Sequence, residues 1–245
     1  MSDKHFASVQ LLCGFNGADA ATAFTDESTA ARVATFVGNA QLDTAQAKWG
    51  SASLLVDGTG DWVTFPDAAA FTLGTSDFTL ECWVRAAALG ASLRGIFGQW
   101  EAGGNQRGSG IFYNGTSNQI EFFYSTTGAN SASFTGAYTL ALNTWAHFAV
   151  TRSGADLRLF ADGVQCGTTG NIGASSIFNS TATMKVGLVS AAGTPWNGWI
   201  DDARFTVGVA RYVANFRPPR GPFDRRKNLG VLGGYRQPIV AATSL

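Results

Sequence analysis

Residues that usually carry catalytic chemistry are scarce in this sequence. Only two histidines, His5 and His147, occur among 245 residues, and no serine or cysteine nucleophile stands beside either in the chain. Nucleophilic catalysis by these residues needs a base within hydrogen-bond reach, so the sequence offers no recognisable nucleophile and base pair. His147 alternates with Trp145 in an extended apolar pattern, and we expect it to be a packed or hydrogen-bonded structural histidine.

Cysteine is equally sparse. The three cysteines, Cys13, Cys82 and Cys166, lie far apart, and no CxxC motif or Cys/His pair has the spacing of metal ligands. Each lies in or beside an apolar strand pattern, so we expect small buried thiols. A disulfide between two of them is left open, because the sequence alone does not choose a pair.

Long apolar runs are missing as well. The sequence contains no stretch of eighteen apolar residues, and its first residues, MSDKHFASVQLLCGF, do not combine a basic segment with a long apolar one. We therefore expect a soluble protein that is made in the cytoplasm without a secretion signal and has no membrane partner.

The formal net charge is zero, but the charges are unevenly distributed. Residues 203–245 contain eight basic residues against one acid, Asp224, and the remainder of the chain carries the compensating negative charge. This asymmetry predicts that the C-terminal end docks on an acidic surface, of its own domain or of a neighbouring subunit. A nucleic-acid partner is disfavoured, since the basic residues are dispersed and form no recognisable reading motif.

What the chain does contain is the pattern of short β-strands. Apolar residues make up 45%, glycine contributes 30 residues and phenylalanine 18, a mixture that suits strands joined by tight turns. In residues 143–165 apolar and polar side chains alternate on either side of Ser153-Gly154, and a second turn follows at Asp162-Gly163. Such turns supply the positive φ angles of hairpins, so an antiparallel meander is predicted.

Other segments extend this pattern. Residues 78–85 alternate with Phe78 on one face and Glu81 on the other, which predicts a solvent-facing Glu81, and Glu121 is expected to face solvent too. Residues 52–56 and 61–65 are predicted to form a hairpin across Asp57-Gly58-Thr59-Gly60. The polar, glycine-rich stretch between Trp100 and Gly110 predicts an exposed loop. Helix signals are weak throughout, so we expect an all-β, two-sheet antiparallel β-sandwich.

Four segments in register resemble a known family. They are LLVDGTGDWVTFP, SDFTLECWVR, TWAHFAVTRSGADLRLFADGVQ and WNGWIDDARFTVGVARYVANFRPPRGPF, which together cover residues 51–223. Their order is similar to that of a laminin G-like jelly roll of the concanavalin A-like lectin and glucanase superfamily. The resemblance implies two face-to-face antiparallel sheets. We assign residues 1–223 to this domain and residues 224–245 to a C-terminal arm that either docks or is disordered.

The opening HFASVQLLCGFNGADAATAFTDES and the closing ARYVANFRPPRGPF look similar to jelly-roll proteins encoded among tailed-bacteriophage structural genes. This narrower resemblance implies a non-enzymatic virion protein, assembled in the host cytoplasm, that decorates the capsid or sits on the tail. Its partners would be capsid or tail subunits, and a homo-oligomer is expected, with a trimer suggested by analogy to viral appendages. The predicted docking residues of the arm are Arg225, Arg226, Lys227, Leu229, Tyr235 and Ile239.

Glycosidases with this fold hydrolyse sugars with paired carboxylates, which laminarinase-like members place on one strand in an ExDxxE pattern. The sequence has four glutamates, Glu27, Glu81, Glu101 and Glu121, and none begins such a pattern. We therefore expect no enzymatic activity and keep glycoside hydrolysis as the remote alternative.

The family resemblance also raises a calcium site. Laminin G-like domains often hold one Ca²⁺ near the sheet rim on oxygen ligands, and the matching positions are Asp57 and Asp201. No cofactor is required by the sequence. The alternative is that Asp201 accepts backbone hydrogen bonds that fix the turn at Asp57. Strand alternation predicts that Asp201 points inward and Asp202 points to water, with Arg204 available as a partner.

Glycan binding is the alternative function that the resemblance implies, with a bacterial surface polysaccharide as the ligand. Sugar sites combine an aromatic platform with a few polar groups on exposed loops. The residues that best meet this description surround the glycine-rich loop or lie at a turn near residue 196. They are Trp100, Asn105, Gln106, Arg107, Tyr113, Trp196 and Asn197. Trp62, Trp83 and Trp145 lie in strand patterns and are expected to pack in the core or on a sheet face.

Overall fold

The computed structural model describes residues 3–190 and 193–224, and in these ranges it contains seventeen β-strands and three short 3₁₀ helices. The predicted arm residues Arg225 to Leu245 lie outside the described residues. The strands are β1 Val9–Cys13, β2 Thr35–Val37, β3 Gln41–Asp43, β4 Ser53–Asp57, β5 Trp62–Phe65, β6 Phe78–Ala86, β7 Leu93–Glu101, β8 Gln106–Asn114, β9 Gln119–Tyr124, β10 Ala132–Ala137, β11 Trp145–Ser153, β12 Asp156–Ala161, β13 Val164–Gln165, β14 Gly170–Asn171, β15 Met184–Val186, β16 Thr194–Pro195 and β17 Asn197–Val207. The helices are Phe6–Ser8, Ala69–Phe71 and Gly103–Asn105.

The strands form two sheets, as the alternation pattern predicts. The first sheet has the order β13-β12-β11-β6-β17-β4-β3, with β1 also paired to β17 and β14 to β12. The second has the order β10-β9-β8-β7-β15-β5-β2, with β16 on β7. All pairs are antiparallel except the short β16–β7 contact. The prediction of an all-β, two-sheet antiparallel sandwich is confirmed, including the meander of β11, β12 and β13.

The core lies between the two sheets and is built by every second residue of each strand. Phe78, Leu80 and Val84 of β6 are fully buried there, and Phe78 meets Phe122 of the second sheet with ring centroids 5.6 Å apart. Burying each such side chain contributes about 1.5–3 kcal/mol. The three cysteines are buried and free, as expected, and burial raises the pKa of the Cys82 thiol.

The predicted hairpin of residues 52–56 and 61–65 is wrong. β4 pairs with β17 in the first sheet, whereas β5 pairs with β15 and β2 in the second. The turn between them therefore carries the chain from one sheet to the other. It is held by the buried Asp61, whose carboxylate accepts the backbone N–H groups of Asn39 and Asp57. Turn residues indicate where a chain reverses, but not which strand it meets afterwards.

A segment that we call the C-terminal strap, residues 209–223, covers the part of the first sheet's outer face that includes Glu81, Thr151 and Phe160. Its backbone is tied to the sheet, because Thr151 donates its hydroxyl to the Tyr212 carbonyl and the Phe216 N–H donates to the Gly163 carbonyl. Tyr212 and Phe216 stack with ring centroids 3.5 Å apart, and both rings rest on Phe160 of β12.

Under the strap lies a buried ion network, so the prediction that Glu81 faces solvent is wrong. Glu81 is fully buried and accepts hydrogen bonds from Arg204 at 2.7 Å and from the Tyr212 hydroxyl at 2.8 Å. His147 Nε2 lies 3.2 Å from Glu81 Oε2, the oxygen that also accepts from Tyr212, in agreement with the structural role expected for this histidine. Strand alternation assigns Glu81 to the correct face, but it does not show that a later segment covers that face.

The N-terminal residues close the same network. Asp3 accepts hydrogen bonds from Arg204 and Arg211, and Phe6, Val9, Leu12 and Phe223 form a small apolar cluster beside them. Both ends of the described chain therefore meet on the outer face of the first sheet. No helix in the described ranges is long and apolar enough to cross a membrane.

Candidate functional site

The half of the first sheet's outer face that the strap leaves uncovered carries a line of large side chains. Trp145 of β11 is the direct partner of Arg85 of β6, Arg85 is the partner of Trp199 of β17, and Trp199 is the partner of Leu55 of β4. All four are half-buried, and their neighbours along the strands, Ala146, Val84, Ile200 and Leu54, point into the core. We call Trp145, Arg85, Trp199 and Leu55 the tryptophan row.

The row is internally supported by specific contacts. The guanidinium carbon of Arg85 lies 4.7 Å from the ring centroid of Trp199, a cation–π arrangement that holds both side chains in place. Arg85 also donates a hydrogen bond of 3.0 Å to the side-chain oxygen of Asn143. The indole N–H of Trp199 donates to Asp43 at 2.6 Å. Neighbouring strands are about 4.8 Å apart, so Trp145 and Trp199 are separated by roughly 10 Å.

A second group of residues adjoins the row. Trp83, two residues before Arg85 on β6, contacts Trp49 edge-to-face at 6.2 Å, and the Lys48 ammonium lies 4.0 Å from the Trp83 ring centroid. Burial lowers the pKa of Lys48, and the charges of Asp162 and Asp201 partly oppose this shift. In the described structure the indole N–H groups of Trp49 and Trp83 are buried without a hydrogen-bond partner.

The carboxylate of Asp201 holds the backbone of Lys48 and Trp49 in place. Asp201 is fully buried, but on the outer face of the first sheet beside its partner Trp83, so the prediction that it points inward is wrong. One carboxylate oxygen accepts the backbone N–H groups of Lys48 and Trp49 at 2.8 and 3.0 Å. Asp201 therefore accepts backbone hydrogen bonds, as expected, but the donors belong to the loop at residues 48–49 and not to the turn at Asp57. The turn at Asp57 is held by Asp61 instead.

Asp202 was expected to face water, and this prediction is wrong. Asp202 is fully buried and accepts the backbone N–H of Phe223 at 2.7 Å. The strand register shifts between Asp201 and Arg204, and Asp202 has a left-handed backbone with φ of 44°. A bulge of this kind breaks the alternation on which the prediction was based. Arg204, in turn, pairs with Glu81 and Asp3.

The residues suggested for calcium do not form a common site. Asp57 is exposed and pairs with Asn197, four residues before Asp201, or about 13 Å of extended chain. The Asp57 carboxylate accepts the N–H of Thr59 within its own turn. Among the described residues no group of three or more histidine, cysteine or acidic side chains is arranged to hold a metal ion.

Three of the aromatic residues predicted for glycan contact are buried. Trp196 and Tyr113 are fully buried in the main core, and Tyr113 donates its hydroxyl to the Tyr138 carbonyl. Trp100 is 7% exposed and packs edge-to-face against Phe112 and Phe123 on the outer face of the second sheet. Val189 and Leu93 complete that apolar cluster. The structure therefore does not place these three residues together on an exposed surface.

The predicted polar residues occupy two separate places. Asn105 is exposed in the turn between β7 and β8, and Gln106 and Arg107 follow it in β8. Gln106 and Arg107 are engaged with backbone groups of Thr181 and Ala129. Asn197 begins β17 beside Asp57. The loop predicted between Trp100 and Gly110 is short, because β7 and β8 continue as a hairpin to Gly103–Asn105.

The glutamates are held apart. Glu81 lies on the outer face of the first sheet, whereas Glu121 lies on the second, where it is 6% exposed and accepts a hydrogen bond from Asn114. The prediction that Glu121 faces solvent is thus also wrong. Glu101 pairs with Lys185 and accepts a hydrogen bond from Ser190.

Family comparison agrees with this architecture. Residues 57–208 match the laminin G-like family Laminin_G_3, described as Concanavalin A-like lectin/glucanases superfamily. The chain belongs to this superfamily. The predicted resemblance over residues 51–223 is therefore confirmed at the level of the superfamily. No curated protein sequence matches the chain.

Solved structures of similar fold include domain 4 of AbnA, a GH43 extracellular arabinanase from Geobacillus stearothermophilus, in complex with arabinotriose. It has a TM-score of 0.60 and 16% identity over 82% of this chain and 93% of that chain. Another is the ligand binding domain of botulinum neurotoxin serotype D in complex with N-acetylneuraminic acid, with a TM-score of 0.64 and 15% identity over 84% of this chain and 48% of that chain.

A third similar structure is the binding domain of botulinum neurotoxin DC in complex with rat synaptotagmin II, with a TM-score of 0.62 and 16% identity over 82% of this chain and 48% of that chain. The match thus spans about half the length of both botulinum chains. The TM-scores of 0.60 to 0.64 show that these domains share the fold of this chain.

The tryptophan row was missed by sequence reasoning, although part of its signal was present. Trp145 and Trp199 both lie in strand patterns and were assigned to packing or left unassigned. Their alignment depends on the register of β11, β6 and β17, which is an outcome of tertiary pairing. Trp83 and Arg85 do share one face in the alternation of β6, and a search for tryptophan and arginine on the same strand face would have found Arg85 and the adjoining Trp83.

Proposed function

We propose that this protein is a lectin-like glycan-binding module and that the tryptophan row is its binding surface. The observation that carries the proposal is that Trp145, Arg85 and Trp199 lie side by side on neighbouring strands and are each partly exposed. An aromatic face binds the apolar face of a sugar ring, while nearby polar groups bind its hydroxyls. Asn143 and Asp43 supply such groups at the two ends of the row.

The position of the row also supports this function. The strap and the N-terminal residues cover the adjacent half of the sheet, so the aromatic side chains remain open where the rest of the face is closed. In the described residues no aromatic ring or cation stacks on Trp145, which leaves its ring available as a platform. The sugar ligands of the AbnA domain and of the serotype D domain are consistent with this role for the fold.

The proposed activity is the binding of a glycan, in which no covalent bond is made or broken. A glycan would lie across the strands, with one ring against Trp145 and the next but one towards Trp199. The roughly 10 Å between the two tryptophans suits alternate rings of an extended oligosaccharide. The glutamates are engaged with separate partners on different sheets, and we propose no hydrolytic step.

A glycan panel tests the proposal. Wild-type protein is screened against neutral and acidic oligosaccharides and polysaccharides of bacterial, plant and animal origin, together with Trp145→Ala, Trp199→Ala and Trp62→Ala. Trp62 is half-buried on the second sheet and serves as the matched control. We expect binding that both row variants weaken at least tenfold and the control leaves unchanged. Absence of any binding, or binding that survives both row variants, would refute the proposal.

The virion role is a second candidate function, and one observation favours it. Both described ends of the chain meet beside Arg204, where Asp3 and Phe223 contact the same guanidinium group. The arm that follows would therefore begin on a single face of the domain, a suitable arrangement for docking to a capsid or tail subunit. None of the three similar structures described above is named as a bacteriophage protein. Deleting residues 225–245 should abolish incorporation into particles without unfolding the domain, and unchanged incorporation would refute this role.

A further inference from the structure

The open half of the first sheet's outer face carries two cations that are held by aromatic rings. Neither Lys48 nor Arg85 forms an ion pair with a carboxylate anywhere in the described residues. Lys48 is instead held over the rings of Trp83 and Trp49, and Arg85 is held over Trp199. This contrasts with Arg204 and Arg211, which pair with Glu81 and Asp3 under the strap.

The acids near the row are already engaged with neutral donors. One oxygen of Asp43 accepts the indole N–H of Trp199, and the other accepts the backbone N–H of Ala45. Asp201 is fully buried beneath the loop that carries Lys48. Asp162 and Asp201 both act on Lys48 and offset its charge, so Arg85 is the cation of the row that has no carboxylate partner among the described residues.

Arg85 is oriented to receive an anion. Its guanidinium carbon lies over the Trp199 ring, and in the described structure only one of its terminal nitrogens has a protein acceptor, the side-chain oxygen of Asn143. The remaining N–H groups have no acceptor in the described structure. A planar guanidinium with free donors can form two parallel hydrogen bonds with a carboxylate. The stacked position means that little side-chain entropy is lost when it does so.

We propose that the tryptophan row selects acidic sugars, in which a carboxylate binds Arg85 while the sugar ring packs on Trp145. This inference rests on the proposed glycan-binding function and names its ligand class, the carboxylated saccharides. Lys48 lies about 7 Å further along the face, at the level of Trp83. The Lys48 ammonium attracts either a second carboxylate of the ligand or, from a longer distance, the carboxylate that Arg85 binds.

Isothermal titration calorimetry with matched ligand pairs tests this inference. The pairs are trigalacturonate with its fully methyl-esterified form, and 3′-sialyllactose with its methyl ester, so that each pair differs only in whether the carboxyl groups are charged. Further acidic and neutral ligands are taken from the hits of the glycan panel. The proteins are wild type, Arg85→Gln, Arg85→Lys and the control Trp62→Ala, each verified as folded by its melting curve.

We expect the acidic member of a bound pair to bind about tenfold to hundredfold more tightly than its neutral partner, as a charge-assisted hydrogen bond would provide. Arg85→Gln should abolish this preference because it removes the charge. Arg85→Lys should retain part of it, because the positive charge remains but the planar guanidinium group that forms two parallel hydrogen bonds is lost. Raising the salt concentration should weaken binding of the acidic member alone.

These titrations distinguish failure of the acidic-sugar inference from failure of the proposed glycan-binding function. Equal affinity for both members of every bound pair, or a preference that Arg85→Gln leaves intact, would overturn the selection of acidic sugars while the glycan-binding function stands. Absence of binding by every acidic and neutral ligand in the panel would overturn the proposed function and the inference with it.

Discussion

Glu81 shows how a single residue organises this fold. Its carboxylate is fully buried and joins Arg204 of β17, Tyr212 of the strap and His147 of β11. Burial by itself opposes ionisation of Glu81, but the charge of Arg204 and the hydrogen bond with His147 outweigh it and lower the pKa to about 2. The network therefore couples the strap to the sheet through one ionised side chain.

Removing this carboxylate should be strongly destabilising. Glu81→Ala leaves Arg204 buried without its main partner, and breaking a buried pair in this way costs about 3–5 kcal/mol. Urea denaturation measures the change in the free energy of unfolding. The control is Asp156→Ala, which removes a partner of Arg158 in a pair whose acid is 42% exposed and should cost at most about 1 kcal/mol. Equal effects of the two substitutions would contradict the role assigned to Glu81.

The lowered pKa also predicts how stability depends on pH. Because the pKa of Glu81 is about 2 in the folded protein and 4.5 in its usual range, the unfolded state binds the proton more readily at intermediate acidity. The stabilisation from Glu81 is therefore complete above about pH 5 and is lost as the pH falls towards 2. Glu81→Gln should flatten this acid limb in denaturation measured from pH 7 to pH 2. An unchanged slope in the variant would show that other groups cause it.

At the scale of elements, the strap is the feature that decides which part of the first sheet is available. Gly163, in the turn between β12 and β13, has a φ of 78°, and the Phe216 carbonyl lies directly against it. A Cβ atom at this position would overlap with that carbonyl and with Pro218. Gly154, in the neighbouring turn, has a φ of 60° and open space around it.

These two glycines form a matched pair for testing the strap. Gly154→Ala should cost only the strain of a left-handed backbone, about 1–2 kcal/mol. Gly163→Ala carries the same strain and must also displace the strap, so it should lower the free energy of unfolding further and expose the strap to limited proteolysis. Similar losses of stability and similar proteolysis of the two variants would contradict close docking of the strap.

The strands show what sequence patterns determine and what they leave open. Alternation identified β6, β11 and β12 with nearly correct bounds, because each is covered by the core on one side. It could not show that β4 and β5 join different sheets, since Asp57, Gly58 and Gly60 specify a turn and not a partner. The same limit applies to the tryptophan row, whose members are adjacent only after β11, β6 and β17 have paired.

At the scale of the whole molecule, the uneven charge of the chain is partly compensated within the domain. Arg204 and Arg211, from the basic C-terminal part, pair with Asp3 and Glu81, in line with the predicted docking on an acidic face of the same domain. Two of the aromatic residues predicted to bind glycan, Trp196 and Tyr113, are buried in the core instead. Sequence position near a turn does not show to which side of the sheet such a side chain points.

The two sheets present different outer faces. The second sheet packs Trp100, Phe112 and Phe123 into a nearly closed apolar cluster, whereas the first leaves Trp145 and Trp199 partly exposed beside Arg85. The central claim is that this open half of the first sheet binds glycan. It can be tested by asking which of the seven tryptophans respond to a ligand.

The most direct measurement is NMR of the indole N–H signals of ¹⁵N-labelled protein during titration with a glycan identified by the panel, with assignments from single tryptophan variants. We predict saturable shifts of the Trp145 and Trp199 signals, smaller shifts of Trp83 and Trp49, and unchanged signals of Trp62, Trp100 and Trp196. Shifts confined to Trp62 and Trp100, with Trp145 and Trp199 unaffected, would place binding on the second sheet and contradict the account.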